Sequence, residues 1–192
     1  MASPDFPRSR RIEIVGPLPG WPAEHAQWQA RLRALLPEAG FEIESVGSTA
    51  VPGLAAKDVI DLQLGVHSLE GDLPWRQRLW AAGWRQGLDW AWDEGPAALA
   101  LRKLYFREPE GERRVHLHVR EIGAANHRFA LLMRDYLRAR PDAAAQYEAL
   151  KRRAAALFPE QVEGYLWLKT PVFHLIHQAA ELWAQAGRPA AR

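Results

Sequence analysis

Four polar residues in two short segments carry the chemistry this sequence suggests. Asp61 and Gln63 stand two apart in Val59-Ile60-Asp61-Leu62-Gln63-Leu64-Gly65-Val66, and His116 and His118 stand two apart in Val115-His116-Leu117-His118-Val119-Arg120. In an extended chain, residues two apart project from the same face. Asp61 and Gln63 therefore point together, opposite Ile60, Leu62, Leu64 and Val66. His116 and His118 point together with Arg114 and Arg120, opposite Val115, Leu117 and Val119. A carboxylate with two imidazoles is a ligand set for a divalent cation, with Mg, Mn and Zn as candidates. Just upstream, Gly47-Ser48-Thr49 offers backbone N–H groups and hydroxyls that can hold phosphate oxygens, and Lys57 either neutralises them or is simply solvated at a strand start. Three uses of the polar face stay open on these residues alone. It is a metal site of Asp61, His116 and His118, a metal-free cluster gripping a phosphorylated ligand with Arg and Lys, or a hydrogen-bonded structural network. Ser48 and Thr49 contact phosphate on the functional readings and only cap a turn on the structural one.

The elements that position these residues follow from the periodicity. Phe41, Ile43 and Ser45 alternate with Glu42, Glu44 and Val46 as a short strand into Gly47, and residues 60–66 form the next. Leu99–Arg107 and Arg113–Arg120 read as antiparallel strands joined by Glu108-Pro109-Glu110-Gly111. Residues 12–15 suggest an edge strand. Pro22 opens a helix whose stripe is Trp21, His25, Trp28, Leu32 and Leu35, on which His25 is a packed residue rather than a ligand. Pro74 to Ala82 suggests a second helix, closed by Gly83. Trp84, Trp90 and Trp92 follow in an irregular stretch broken by Gly87 and Gly95-Pro96, and fill core or pin loops. Beyond residue 122 the chain turns helical. Asn126 caps a helix with Phe129, Leu132, Met133, Tyr136 and Leu137 inward, and Pro141-Asp142 starts one with Tyr147, Leu150, Ala154 and Leu157 inward. Thr170-Pro171 opens the last, with Val172, Ile176, Ala179 and Trp183 inward.

The composition bounds what these elements can serve. The 192 residues are 48% hydrophobic and 25% charged, with a formal net charge of +2, ordinary globular material able to bury a core. No cysteine is present, which excludes disulfides and thiolate metal sites. The basic residues form no run interleaved with aromatics, so a nucleic-acid partner is not expected. No apolar run approaches the roughly 20 residues of a membrane span, and the polar N-terminus lacks a signal-peptide core. A cytoplasmic protein without a membrane partner is the expectation.

The segment Val46-Gly47-Ser48-Thr49-Ala50-Val51-Pro52-Gly53-Leu54-Ala55-Ala56-Lys57-Asp58-Val59-Ile60-Asp61-Leu62 resembles the signature of the GrpB-like family, close to "hGSTAVPGLAAKPhIDI". The resemblance extends over nearly the whole chain, through Trp21-Pro22, His116-Leu117-His118-Val119, Arg134 to Ala139, Tyr147 to Arg152, and Tyr165 with Lys169. It implies a branch of the nucleotidyltransferase superfamily, and so an α+β fold with a mixed or antiparallel sheet of nucleotidyltransferase type and a C-terminal helical bundle. One domain spans 1–192, with 1–122 as the α/β core and 123–192 as helices packed on it. In that superfamily, carboxylates on neighbouring strands hold Mg²⁺ against a triphosphate. Here Asp61 matches the first carboxylate and is the catalytic candidate. Gln63 replaces the second, and His116 or His118 stands near the third. Asp58 occupies the family's usual proline position. The resemblance also makes Tyr165 and Lys169, one helical turn apart, a candidate ligand-facing pair, with a tyrosine packed under a snorkelling lysine as the plain alternative. Two functions follow as expectations: a protein binding a nucleotide or phosphorylated small molecule, up to metal-dependent nucleotidyl transfer, or a non-catalytic accessory module that kept the scaffold and lost the acids. Fusion of such a domain to dephospho-CoA kinase in some family members suits either.

Overall fold

The computed structural model describes residues 5–87, 92–93 and 101–187. Trp90, the Gly95-Pro96 break, and Leu99 and Ala100 at the start of the expected hairpin lie outside them. The chain divides into two compact units, and the division is discontinuous in sequence. Pro19–Ala50 with Val59–Leu131 forms a sheet unit, and Met1–Leu18, Val51–Asp58 and Leu132–Arg192 form a helical unit.

The sheet unit begins with α1 (Trp21–Leu35), β1 (Glu42–Val46), a 3-10 turn (Ser48–Ala50) and β2 (Ile60–Val66). It continues with α2 (Pro74–Ala81), β3 (Arg85–Gly87), β4 (Trp92–Asp93), β5 (Leu101–Arg102), β6 (Leu104–Arg107), β7 (Val115–Glu121) and the start of α3 (Ala125–Ala139). Five strands make one sheet in the order β1-β2-β7-β6-β3, in which β2 and β7 run parallel and the other neighbours antiparallel. The fold is thus α+β with a mixed sheet. Its apolar layer is continuous across three strands. Leu62 pairs with Leu117 and Leu117 with Phe106, all fully buried, and Ile60 pairs with Val115 likewise. A one-residue slip would turn that layer to the opposite face, so its burial fixes the register of the polar face as well. Helix α1 starts at Trp21-Pro22, buries Trp21, His25, Trp28 and Leu32, and packs on β1 and β2.

Two readings of the hairpin region change. The strand expected as continuous to Arg107 is interrupted at Lys103, whose buried ammonium turns to Asp93 at 2.5 Å, while Leu101–Arg102 pairs with Trp92–Asp93 as a separate ribbon. Asn126 does not cap α3. It is the helix's second residue, buried, and its amide donates to Asp93 Oδ2 (3.1 Å) and to the Arg102 carbonyl (3.0 Å).

The helical unit holds the rest of α3, α4 (Pro141–Leu157) and α5 (Val162–Gln185). Ile12, Ala154, Ala155, Phe158 and Tyr165 form a core, with Phe6 edge-on to Phe158. Residues 12–15 form no strand; Val15 makes a single bridge to Ala56. Leu157, expected inward, is exposed. No helix begins at Thr170-Pro171, because α5 runs through Pro171. A proline inside a helix costs about 3 kcal/mol. Burial of Tyr165 ahead of it and of Ala180 and Trp183 beyond it offsets that local preference. No helix among the described residues is long and apolar enough to cross a membrane.

Candidate functional site

Asp61, His116 and His118 meet because β2 and β7 pair in parallel with Asp61 beside His116 and Gln63 beside His118. Parallel neighbours with matched register send these side chains to one face. His116 Nδ1 lies 3.2 Å and His118 Nε2 3.8 Å from the same oxygen, Asp61 Oδ1. One ligand atom from each residue fits within a 4.8 Å span. All three side chains are partly exposed, so the cluster is reachable from solvent. Tyr105, beside His118 in register on β6, floors it, its ring 5.4 Å from that of His116 and 5.5 Å from that of His118.

Gly47 brings the turn's backbone directly onto Asp61. It lies at φ +74°, and a β-carbon there would stand 2.4 Å from Asp61 Oδ2 and 2.8 Å from Asp61 Cβ. Only glycine permits both the conformation and the approach. Ser48 follows, half-buried, at the start of the 3-10 turn. Thr49, a phosphate-contact candidate in the sequence, makes structural bonds with its hydroxyl. It is buried, its hydroxyl donates to the Val59 carbonyl (3.0 Å), and it bonds His25 Nε2 at 3.0 Å. His25 is the packed residue that its helical stripe implies.

Burial by itself would raise the Asp61 carboxyl, but the His116 contact at 3.2 Å and the nearby His118 ring outweigh it and hold the acid well below the usual range. Burial pushes His118 down to about 4, against the pull of Asp61 and aided by the charges of Arg120 and Lys103. At neutral pH the cluster therefore offers an ionised carboxylate and, at His118, a neutral imidazole, the forms that bind metal.

Gln63 is fully buried and committed elsewhere. Its Oε1 accepts from Arg120 Nη1 at 2.7 Å, and its Nε2 donates to the His127 carbonyl at 3.2 Å. Arg120 also donates to both oxygens of Asp93, at 2.8 and 3.1 Å, and Lys103 and Asn126 complete that carboxylate's shell. Arg120 was legible as a member of the His116–His118 face. Asp93 was not, since its stretch shows no period and its partners lie 10 to 33 residues away.

Lys57, Tyr165 and Lys169 belong to the helical unit, whereas Gly47, Ser48, Thr49, Asp61, Gln63, His116 and His118 belong to the sheet unit. Tyr165 is a core residue, and the Lys57 ammonium lies 5.0 Å over its ring. Lys169, one turn along α5, sits 5.1 Å over the ring of Phe173.

Residues 11–179 match the family described as GrpB protein. This chain belongs to the GrpB family. The solved GrpB structure from Enterococcus faecalis is similar over 89% of this chain and 99% of that one, with 25% identity and a TM-score of 0.72. A dephospho-CoA kinase from Mycolicibacterium paratuberculosis is 32% identical over 193 residues, which cover 91% of this chain and 47% of the relative, so this chain spans about half of that protein's length. A variant of the Cid1 poly(U) polymerase bound to MgATP is a looser likeness, over 74% of this chain and 44% of that one, with 15% identity and a TM-score of 0.49.

Proposed function

We propose that this GrpB-family chain binds a divalent cation through Asp61, His116 and His118 and uses it to hold a nucleotide or another phosphorylated small molecule. The observation that carries this reading is the convergence of three ligand atoms within 4.8 Å on a solvent-reachable face beside Gly47. Two imidazoles and one carboxylate suit Zn or Mn better than Mg, which prefers an all-oxygen shell. A cation held there would supply Lewis-acid attraction for phosphate oxygens. Ser48 and the backbone N–H groups of the turn that Gly47 opens would receive the remaining oxygens.

Within that reading, binding without nucleotidyl transfer is the better supported form. The position where the family resemblance asks for a second carboxylate holds Gln63, a neutral amide whose two ends bond Arg120 and the His127 carbonyl. Asp61 then stands as the one carboxylate of the metal cluster. The likeness to part of a dephospho-CoA kinase is consistent with a module that works beside a nucleotide-using enzyme.

Calorimetric titration with nucleoside triphosphates, with and without Mn²⁺ or Zn²⁺, tests the proposal. Binding that requires the cation and is lost in Asp61→Asn is the expected result. Binding indifferent to both the cation and Asp61 would refute it. Release of pyrophosphate on incubation with Mn²⁺ and a nucleoside triphosphate would reinstate nucleotidyl transfer.

A further inference from the structure

Asp61 and His116 are two members of a row that continues across the sheet. His116 on β7 pairs with Arg107 on β6, and Arg107 pairs with Arg85 on β3. Residues directly opposite on antiparallel strands stand about 4.5–5.5 Å apart at Cα and project from one face. In order, the row reads Arg85, Arg107, His116, Asp61. Two contacts fix which face this is. Tyr105, two residues before Arg107, lays its ring against both imidazoles, at 5.4 and 5.5 Å. A β-carbon on Gly87, two residues after Arg85, would stand 2.9 Å from Tyr105 Cδ1. All of these residues belong to the sheet unit.

The two guanidiniums meet at Glu108. Arg85 Nη2 lies 3.3 Å and Arg107 Nη2 3.4 Å from the same oxygen, Glu108 Oε1, and Arg85 Nε donates to the Glu108 carbonyl at 3.0 Å. The other carboxylate oxygen accepts from the Val115 N–H at 3.0 Å. Two cations thus share one carboxylate that also serves the backbone, and the group keeps a net positive charge. Arg107 is the less committed of the two. Its side chain is 36% exposed, its contact with Glu108 is long, and its Nε is buried with no hydrogen-bond partner among the described residues. A buried N–H left unbonded costs free energy, and an arginine seated for a structural ion pair makes shorter, forked contacts.

We propose that Arg107, supported by Arg85, receives the second phosphate of a ligand whose first phosphate sits at the Asp61 cluster, so that the site selects di- and triphosphates over monophosphates. This deepens, and rests on, the reading of Asp61, His116 and His118 as a cation site for phosphorylated ligands. Arg107 stands one strand beyond His116, so a phosphate chain anchored at the cation extends toward it along the row. The cation at one end and the arginine pair at the other match the distributed charge of such a chain. A guanidinium binds phosphate oxygens two at a time, and turning Arg107 from Glu108 toward His116 satisfies donors that the carboxylate does not. A monophosphate has no second group to span that step and gains nothing from Arg107.

The test is calorimetric titration of the full chain with Mn²⁺ alone and then, at saturating Mn²⁺, with adenosine triphosphate and separately with adenosine monophosphate. Wild type is expected to bind Mn²⁺ and to take the triphosphate at least about tenfold more tightly than the monophosphate, the worth of one charge-assisted hydrogen bond. Arg107→Gln is expected to lose that preference while binding Mn²⁺ and the monophosphate as wild type does. Arg107→Lys, which keeps the charge and loses the fork, is expected to fall between the two. Intact Mn²⁺ binding reports that a variant has kept the sheet. Equal affinity of Mn²⁺-loaded wild type for the two nucleotides, or an undiminished preference in Arg107→Gln, would overturn this proposal and leave the cation site standing. Equal loss of Mn²⁺ and both nucleotides in the two Arg107 variants would also overturn it, because a structural role then suffices. Failure of wild type to bind Mn²⁺ would overturn the cation reading and this one together.

Discussion

Replacing Gly47 with alanine isolates the contact on which the candidate site depends. The new β-carbon would stand 2.4 Å from Asp61 Oδ2, and turning the carboxylate aside cannot relieve it, because Asp61 Cβ itself lies 2.8 Å away. The turn or β2 must move. Two costs combine: about 1–2 kcal/mol for an alanine held at positive φ, and about 1–3 kcal/mol for overpacking. Together they come to about 2–5 kcal/mol, or a fall in Tm of about 4–20 °C for a chain of this size. Gly53 is the internal control, since it has φ +77° with nothing within 4 Å of its would-be β-carbon. Gly53→Ala is expected to lose only the first cost and to keep wild-type affinity for Mn²⁺ or Zn²⁺. Gly47→Ala is expected to unfold at lower temperature than Gly53→Ala and to bind the metal at least tenfold more weakly, since Asp61 is displaced. Differential scanning calorimetry and metal titration of both variants give the comparison. Equal thermal stability and equal metal affinity in the two variants would refute the claim that Gly47 is there to let the backbone reach Asp61.

Two further outcomes are expected. Arg120→Met leaves the Gln63 oxygen without that partner and strips Asp93 of two charge-assisted bonds. Breaking one side of a buried ion pair costs about 3–5 kcal/mol, and urea denaturation should show a smaller loss when the same change is made in an Asp93→Asn background. Lys151 holds its proton less tightly folded than unfolded, so the unfolded chain binds more protons above pH 7 and stability rises with pH there. Between pH 7 and pH 9 the gain from this group is about 2 kcal/mol. Lys151→Met should remove that slope in denaturation curves measured at the two pH values.

Period-two patterning was enough to place Asp61, His116 and His118 on one side of their strands, because Leu62, Leu117 and their neighbours leave no other register. The starts of α1 at Trp21-Pro22 and α4 at Pro141 were legible for a local reason, proline's fixed φ in a first turn. What local chemistry could not supply was partner choice over distance. The Thr49 hydroxyl looks available in Gly47-Ser48-Thr49, yet the Val59 carbonyl and His25 take it. Gln63 looks like a weakened metal ligand until Arg120, 57 residues on, claims its oxygen. Asn126 has a capping side chain and spends it on Asp93 and Arg102. Pro171 was a correct local signal overridden by packing along α5. Lys151 carries no local sign of burial, standing beside Arg152 and Arg153, yet it is 2% exposed.

The most direct test of the central claim is a calorimetric titration of Mn²⁺ or Zn²⁺ into the metal-free chain carrying no added histidines, alongside Asp61→Asn and the His116→Ala/His118→Ala pair. A single ion bound per chain, with affinity reduced at least a hundredfold in both variants, is the predicted result. No binding by the native chain, or binding that survives loss of Asp61 and both imidazoles, would contradict it.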